Sequence, residues 1–95
     1  MKEFKITISD EAITEIQDII DYYDKIQIGL GKKFYTSVNQ SLSSISKNPF
    51  YKIIYKNFRQ YKILEFPYYI HFIVDELYDE VLIFSIYHTK RKPKY

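Results

Sequence analysis

The chain has 95 residues, of which 46% are hydrophobic, 27% charged and 19% aromatic, and its formal net charge is +2. These proportions are typical of one soluble globular domain. With no cysteine and only two glycines, the composition excludes a disulfide scaffold, a cysteine zinc site, a thiol nucleophile and a glycine-rich phosphate loop. No segment resembles a signal peptide or a membrane span, and no motif indicates a cofactor, so we expect a cytoplasmic protein without membrane contact.

The charges fall into four blocks of alternating sign. Residues 1–30 carry seven acids and three bases, a balance of −4, and residues 31–64 carry seven bases and no acid. Residues 65–80 carry five acids, and four bases follow them. Such alternation predicts separate acidic and basic faces, and a basic face binds phosphate or an acidic protein. The alternative is an ordinary solvated surface.

The chain begins with a strand pattern that changes into a helix pattern. Apolar and polar residues alternate from Phe4 to Ile8, as in a half-buried strand. Ser9 or Asp10 then provides a helix N-cap. Apolar residues recur at three- and four-residue spacing over about residues 10–25, which predicts an amphipathic helix with an acidic outer face.

A second amphipathic helix follows a glycine break. Gly29 and Gly31 interrupt the first pattern, and glycine is common just past a helix end. Apolar residues from Leu30 to Ile45 then keep a single face, and Asn48-Pro49 ends the pattern because the residue before proline avoids helical conformation. The very short connection predicts an antiparallel helical hairpin.

After the second helix the pattern changes to that of strands. One strand is predicted around residues 61–63 and ends before Pro67, and Tyr69–Val74 forms the next. The acidic stretch Asp75–Glu80 predicts a turn, and the continuous apolar run Val81–Tyr87 predicts an inner strand. The order strand–helix–helix–strand–strand–strand predicts one α+β domain over residues 1–95, with a helical hairpin packed on a small, mostly antiparallel sheet.

This order of elements, the chain length and several late motifs together resemble one known family. The motifs are Arg59, Phe66-Pro67-Tyr68-Tyr69, Val74-Asp75 and His88-Thr89-Lys90-Arg91-Lys92-Pro93. With the opening strand and the long hairpin, they are similar to the RelE/ParE superfamily, the toxins of bacterial type II toxin–antitoxin systems. The resemblance implies a small toxin that a cognate antitoxin neutralises by direct binding, as a hetero-oligomer.

Two branches of this superfamily imply different targets. RelE-type members resemble ribonucleases that cut mRNA in the ribosome, whereas ParE-type members are implied to poison DNA gyrase without cleaving nucleic acid. The long hairpin, about residues 10–47, and the Phe66-Pro67-Tyr68 junction look more like the ParE branch. We therefore predict a ParE-like toxin that acts on DNA gyrase. The alternatives are a RelE-like, ribosome-dependent mRNA endonuclease and an inactive homologue that only binds its antitoxin.

Metal-free RNA cleavage requires a base, an acid and cations for the charged phosphorane. Here His88 and Glu65 are the candidates for proton transfer, and Arg59 and Arg91 are the candidates for holding phosphate. The neighbouring bases disfavour an imidazolium at His88, which would keep a neutral base available. His88 and Arg91 lie at the end of the last strand, and Arg59 lies on a predicted adjacent strand. Ile70 argues against a ribonuclease, because many relatives have a basic residue at this position. For His88, the alternative to proton transfer is a structural role.

The remaining chemistry is sparse. His71 lies in an apolar run, where a single histidine is more often a core or edge residue than a functional one. The two histidines, His71 and His88, are 17 positions apart, and neither has a second ligand at helical or hairpin spacing. The sequence therefore predicts no metal site.

The resemblance and the charge blocks also predict contact residues. Candidates for target binding lie in the basic tail: Lys90, Arg91, Lys92 and Tyr95. An antitoxin that folds on binding would supply an acidic amphipathic segment, and it would need bases and apolar anchors on the outer side of the hairpin. The candidates for this contact are Ile26, Ile28, Lys32, Lys33 and Tyr35.

Overall fold

The computed structural model describes residues 3–90, which form two helices and five strands. In chain order these are β1 (Lys5–Ile8), α1 (Asp10–Ile26), α2 (Leu30–Lys47), β2 (Ile53–Tyr55), β3 (Phe58–Lys62), β4 (Tyr68–Asp75) and β5 (Glu80–His88). The strands form one sheet in the order β1-β5-β4-β3-β2. Only β1 and β5 pair in parallel, and the other three pairs are antiparallel. The predicted α+β architecture is confirmed.

The hairpin has the boundaries that its capping residues predict. Ser9 is the N-cap of α1, and its Oγ accepts the backbone N–H of Ala12 at 3.1 Å. Gly29 takes a left-handed φ of 89° immediately before α2, where a side chain would be strained. Gly31 lies where the helices cross closely, and its N–H donates to Asp24 Oδ1 at 2.9 Å. Neither helix among residues 3–90 is long and apolar enough to cross a bilayer.

The strands agree with the sequence except at β2 and β3. β3 spans Phe58–Lys62, so it starts earlier than predicted and ends before Ile63. The predicted inner strand, β5, lies between β1 and β4, as its continuous apolar run indicates. β2 was not expected, because a three-residue strand that is exposed at both ends leaves no alternating pattern. It extends the sheet on the side of β3 and makes it five-stranded. The turn before β4 contains Pro67, as predicted.

The core lies between the hairpin and one face of the sheet. Four aromatic rings pack at one end of it, where Phe34 lies 5.1 Å from Phe66, 5.6 Å from Tyr68 and 5.7 Å from Tyr23 between ring centroids. Burial, with Tyr68 beside it, raises the pKa of Tyr23 to about 12. Aliphatic side chains fill the rest of the core: Val38, Ile45, Ile63, Ile70, Val81 and Ile83.

The opposite face of the sheet carries a smaller aromatic cluster around His71. The β4–β5 register shifts between His71 and Phe72, and the shift leaves Phe84 as an extra residue in β5. The Phe84 and Tyr87 rings lie 6.0 and 5.0 Å from the His71 ring, whose residue is only 3% exposed. Burial lowers the pKa of His71 below its usual value of 6.5. The predicted non-catalytic, buried position of His71 is consistent with this placement.

We expect acid to destabilise the fold through His71. An unfolded histidine takes up a proton as the pH falls through 6.5, whereas folded His71 resists protonation to a lower pH. The free energy of unfolding should therefore be greatest above pH 6.5 and fall below it, by at most about 1.4 kcal/mol per pH unit from this group. Urea unfolding at pH 7.5 and 5.5 measures the difference. This difference in the free energy of unfolding should be smaller in His71→Phe and unchanged in His88→Gln. An undiminished difference in His71→Phe would contradict the role of His71.

Candidate functional site

An apolar groove runs between the two helices of the hairpin. Its cavity volume is about 210 Å³. Ile13 and Tyr35 lie on its two sides, and each is 51% exposed although both are large and hydrophobic. The groove is lined mainly by apolar side chains: Ile8, Ile13, Ile16, Ile20, Tyr35, Val38 and Leu42. An exposed apolar groove of this kind fits an amphipathic helix or a hydrophobic segment of a partner.

The apolar residues predicted for antitoxin binding are all exposed on the hairpin. Ile26 ends α1 and is 58% exposed, and Ile28 in the turn between the helices is 96% exposed. Tyr35 lines the groove itself. The α1 residues Ile13 and Ile20 also line the groove and were not among the residues predicted for this contact. They follow the apolar spacing of α1, which does not distinguish a core position from a groove position.

The two basic residues predicted for the same contact, Lys32 and Lys33, are exposed in the first turn of α2. The Lys33 ammonium lies 3.6 Å from a Glu65 carboxylate oxygen, and both side chains are more than half exposed. A solvent-exposed pair of this kind contributes little to stability. Glu65 itself lies in the turn between β3 and β4 with a left-handed φ of 71°. Glu65, a candidate for proton transfer, is therefore paired with a residue predicted to bind the antitoxin.

Arg59 does not join His88. The expectation that their strands are adjacent is wrong, because β4 lies between β3 and β5. Arg59 is opposite Phe72 and His88 is opposite Tyr68, so four residues of β4, roughly 13 Å, separate them along the strands. The Arg59 guanidinium donates to the Tyr51 carbonyl at 2.7 Å and lies 5.4 Å from the Phe50 ring. These contacts direct it toward the segment before β2, away from His88.

His88 is held by the backbone that follows it. Its Nδ1 accepts the Lys90 N–H at 3.1 Å, and its ring packs edge-on against Tyr68 with centroids 5.2 Å apart. An Nδ1 that accepts a hydrogen bond carries no proton, so the neutral ring has its proton on Nε2. In this arrangement His88 offers a donor, and it would have to release Lys90 before Nδ1 could act as a base.

A second cavity, of about 510 Å³, lies between α1 and the end of β5. Glu15 and Asp18 of α1 form one wall, and His88 with Tyr68 forms the other. Glu15 Oε1 accepts the backbone N–H of Ile86 in β5 at 2.9 Å. No sequence pattern predicts this contact, because a helix position and a strand position 71 residues apart share no periodicity.

Lys90, predicted to bind the target, is exposed at the rim of this cavity. The other predicted target contacts, Arg91, Lys92 and Tyr95, lie outside the described residues. Within residues 3–90, no three His, Asp or Glu side chains are grouped so that they could hold a metal ion.

No protein-family model and no curated protein matches the chain. A solved structure of the chromosomal ParDE TA system from P. aeruginosa is similar, with a TM-score of 0.80 at 13% sequence identity. The match covers 93% of this chain and 98% of that chain. At this identity the likeness establishes the fold, including the hairpin and the mixed five-stranded sheet. The chain therefore has a ParE-like fold, which confirms the structural part of the resemblance to the RelE/ParE superfamily.

Proposed function

We propose that the chain is the toxin of a type II toxin–antitoxin pair, that it acts on DNA gyrase in the cytoplasm, and that a cognate antitoxin neutralises it. The observation that carries this proposal is a ParE-like fold whose helical hairpin leaves an apolar groove exposed. A ParDE system is named for the similar structure, and the same pairing with an antitoxin is proposed here.

The hairpin surface supports the antitoxin half of the proposal. Ile13 and Tyr35 are half exposed beside the groove, and Ile28 is almost completely exposed at the turn. Apolar side chains of this size gain free energy when a partner covers them, at roughly 25 cal/mol per Å². Lys32 at the start of α2 adds positive charge for the acidic segment of a partner. An antitoxin segment that is amphipathic and acidic meets both requirements.

The positions of the candidate catalytic residues argue against RNA cleavage. Arg59 is held by Tyr51 and Phe50 and is separated from His88 by β4. The Nδ1 atom of His88, which would serve as a base, is already engaged by Lys90. A ribonuclease needs its base, acid and phosphate-binding cations within reach of one scissile phosphate. The described residues support a toxin that binds its target more than one that cuts RNA.

Induced expression tests the proposal. We expect growth arrest, induction of DNA-damage signalling, and inhibition of supercoiling when the purified chain is added to purified gyrase. Translation should continue in the first minutes. Early arrest of translation with cut mRNA on ribosomes would contradict the gyrase target and favour the RelE-like alternative. Normal growth after confirmed expression would identify an inactive homologue.

The antitoxin half is tested by co-expression with the adjacent small open reading frame, followed by pull-down. Ile13→Glu places a charge in the groove and should weaken the complex by about tenfold or more, because the carboxylate must be desolvated on binding. Growth inhibition by this variant should remain. Leu77→Glu is the control, since Leu77 is 81% exposed in the β4–β5 turn, away from the groove. Equal binding by both variants would rule out the groove as the contact.

A further inference from the structure

The outer face of the sheet, which lies opposite to the helical hairpin, is buried at one end and exposed at the other. His71 and Tyr87 lie toward the end where β5 finishes, and they are only 3% and 6% exposed. Leu82, on the same face near the start of β5, is 39% exposed, and Tyr55 of β2 is 41% exposed. A tyrosine on a solvated sheet face keeps part of its ring accessible, so the burial of Tyr87 indicates a cover over this end of the face.

The described elements do not supply this cover. Within residues 3–90, both helices pack on the other face of the sheet. The rings that flank His71, those of Phe84 and Tyr87, are part of the outer face and not a layer over it. The start of the chain lies at the far end, because β1 pairs with the first residues of β5. Residues 91–95 are the part of the sequence that can supply the cover.

Chain geometry allows that segment to reach the buried end of the outer face and not the exposed end. A turn at Thr89-Lys90 follows β5 directly, so the chain changes direction where the strand ends. The five residues beyond it span at most roughly 17 Å. His71 lies opposite Ser85, about 10 Å along β5 from its end, whereas Leu82 lies about 20 Å from the same end. The burial therefore follows the reach of the segment.

The sequence of this segment suits an aromatic surface. Arg91, Pro93 and Tyr95 alternate with Lys92 and Lys94. Successive side chains of an extended chain point to opposite sides, so the first three share one side and the two lysines share the other. A guanidinium and a phenol ring both stack on aromatic rings, while an ammonium is strongly hydrated. In an extended conformation the segment would bring three packing groups to the face and leave two lysines in solvent.

We propose that residues 91–95 dock on the outer face as an extended cover, which packs on the aromatic rings near the end of β5. Arg91 and Tyr95, both predicted as target contacts, then become anchors of a contact within the chain. Lys92 and Lys94 lie on the outside of the cover and are available to a partner. Because the contact is made within one chain, it does not depend on the target proposed above.

A tryptophan reporter tests the docking in the full chain, which has no tryptophan of its own. Tyr95→Trp places the reporter at an anchor position, and the matched control, Lys94→Trp, places it one residue earlier on the outside. We expect acrylamide to quench the fluorescence of Tyr95→Trp about threefold less efficiently than that of Lys94→Trp, because a docked ring is shielded from solvent. Equal quenching of the two reporters would overturn the proposal. Shielding that increases with protein concentration would also overturn it, because the cover would then come from a second copy.

Chemical labelling of His71 tests the same contact from the side of the sheet. The anchor variant combines Arg91→Ser, Pro93→Ser and Tyr95→Ser. Its control combines Lys92→Ser and Lys94→Ser. Diethyl pyrocarbonate should modify His71 about tenfold faster in the anchor variant, because the reagent must reach the ring, and at an unchanged rate in the control. Peptide mass spectrometry separates His71 from His88, and circular dichroism verifies that both variants are folded. Equal rates in the two variants would mean that the sheet's own side chains bury His71, and the cover would be rejected.

Discussion

Replacing Phe34 with alanine is expected to lower the free energy of unfolding by about 3–5 kcal/mol. Phe34 is fully buried, and its ring contacts those of Tyr23, Phe66 and Tyr68. These residues join both helices to the β3–β4 turn and β4, so the cavity left by the substitution would lie where the hairpin meets the sheet. A domain of this size has a total stability of roughly 5–15 kcal/mol, so the variant should be close to unfolding at room temperature.

Urea denaturation followed by circular dichroism measures this loss. Tyr35→Ala is the matched control, because it removes a large aromatic side chain from the next position of the same helix. Tyr35 is 51% exposed, so its truncation should change stability by less than about 1 kcal/mol. The same control should weaken antitoxin binding if the groove is the contact. Comparable loss of stability in the two variants would be inconsistent with the core described for this fold.

Gly31→Ala is expected to have the second large effect. Whether it lowers or raises the free energy of unfolding tests the close approach of the two helices. A Cβ at Gly31 would lie 2.6 Å from both the Ile20 carbonyl oxygen and Asp24 Oδ1. Helix propensity alone favours alanine over glycine by about 1 kcal/mol inside a helix. We expect the clash to dominate and to lower stability by about 1–3 kcal/mol, because the Ile20 carbonyl belongs to the backbone of α1 and cannot move without shifting that helix.

The double variant with Asp24→Ala separates the two contacts. Removing the Asp24 side chain relieves one clash but leaves the Ile20 carbonyl in place, so only part of the loss should be recovered. Gln40→Ala, at an exposed position of α2, is the control for the effect of alanine in this helix, and it should change stability by about 0.5 kcal/mol or less. A stabilised Gly31→Ala variant would mean that the helices do not approach each other this closely.

The helices could be predicted because their signals are local. Ser9 caps α1, Gly29 takes the left-handed conformation before α2, and Asn48-Pro49 ends α2 at the residue expected. The inner position of β5 also followed from composition, because a continuous apolar run is typical of a strand inside a sheet whose two faces are both covered. In each case the physical cause lies within a few residues of its effect.

The lateral order of the strands could not be predicted in this way. Arg59 and His88 were expected on adjacent strands, yet β4 separates them, and no pattern within either strand specifies its neighbour. The end of the β1–β5 pairing at Ile8 and Ile83 was equally hidden. Beyond it, the Ile86 N–H donates to Glu15, which comes from a distant part of the sequence. Contacts of this kind become visible only when the fold is known.

The same limit explains what was missed on the hairpin. Ile13 follows the apolar spacing of α1 and was not selected as a contact residue, although it is half exposed beside α2. Periodicity identifies an apolar stripe but does not show whether a sheet, another helix or solvent lies against it. Exposed residues that interrupt the periodicity, such as Ile28 in the turn, were easier to select, because no core-facing position explains them.

The pairing of the first strand with the last has a consequence for synthesis. Lys5 pairs with Glu80, 75 positions later, and among residues 3–90 β1 has no other neighbour in the sheet. A nascent chain that has not yet delivered β5 therefore leaves β1 without a strand partner, however early its helices form. The ordering entropy of β1 is compensated only when the two distant segments meet. The sheet is thus completed only after residues 80–83 have been translated, which is close to the end of the given sequence.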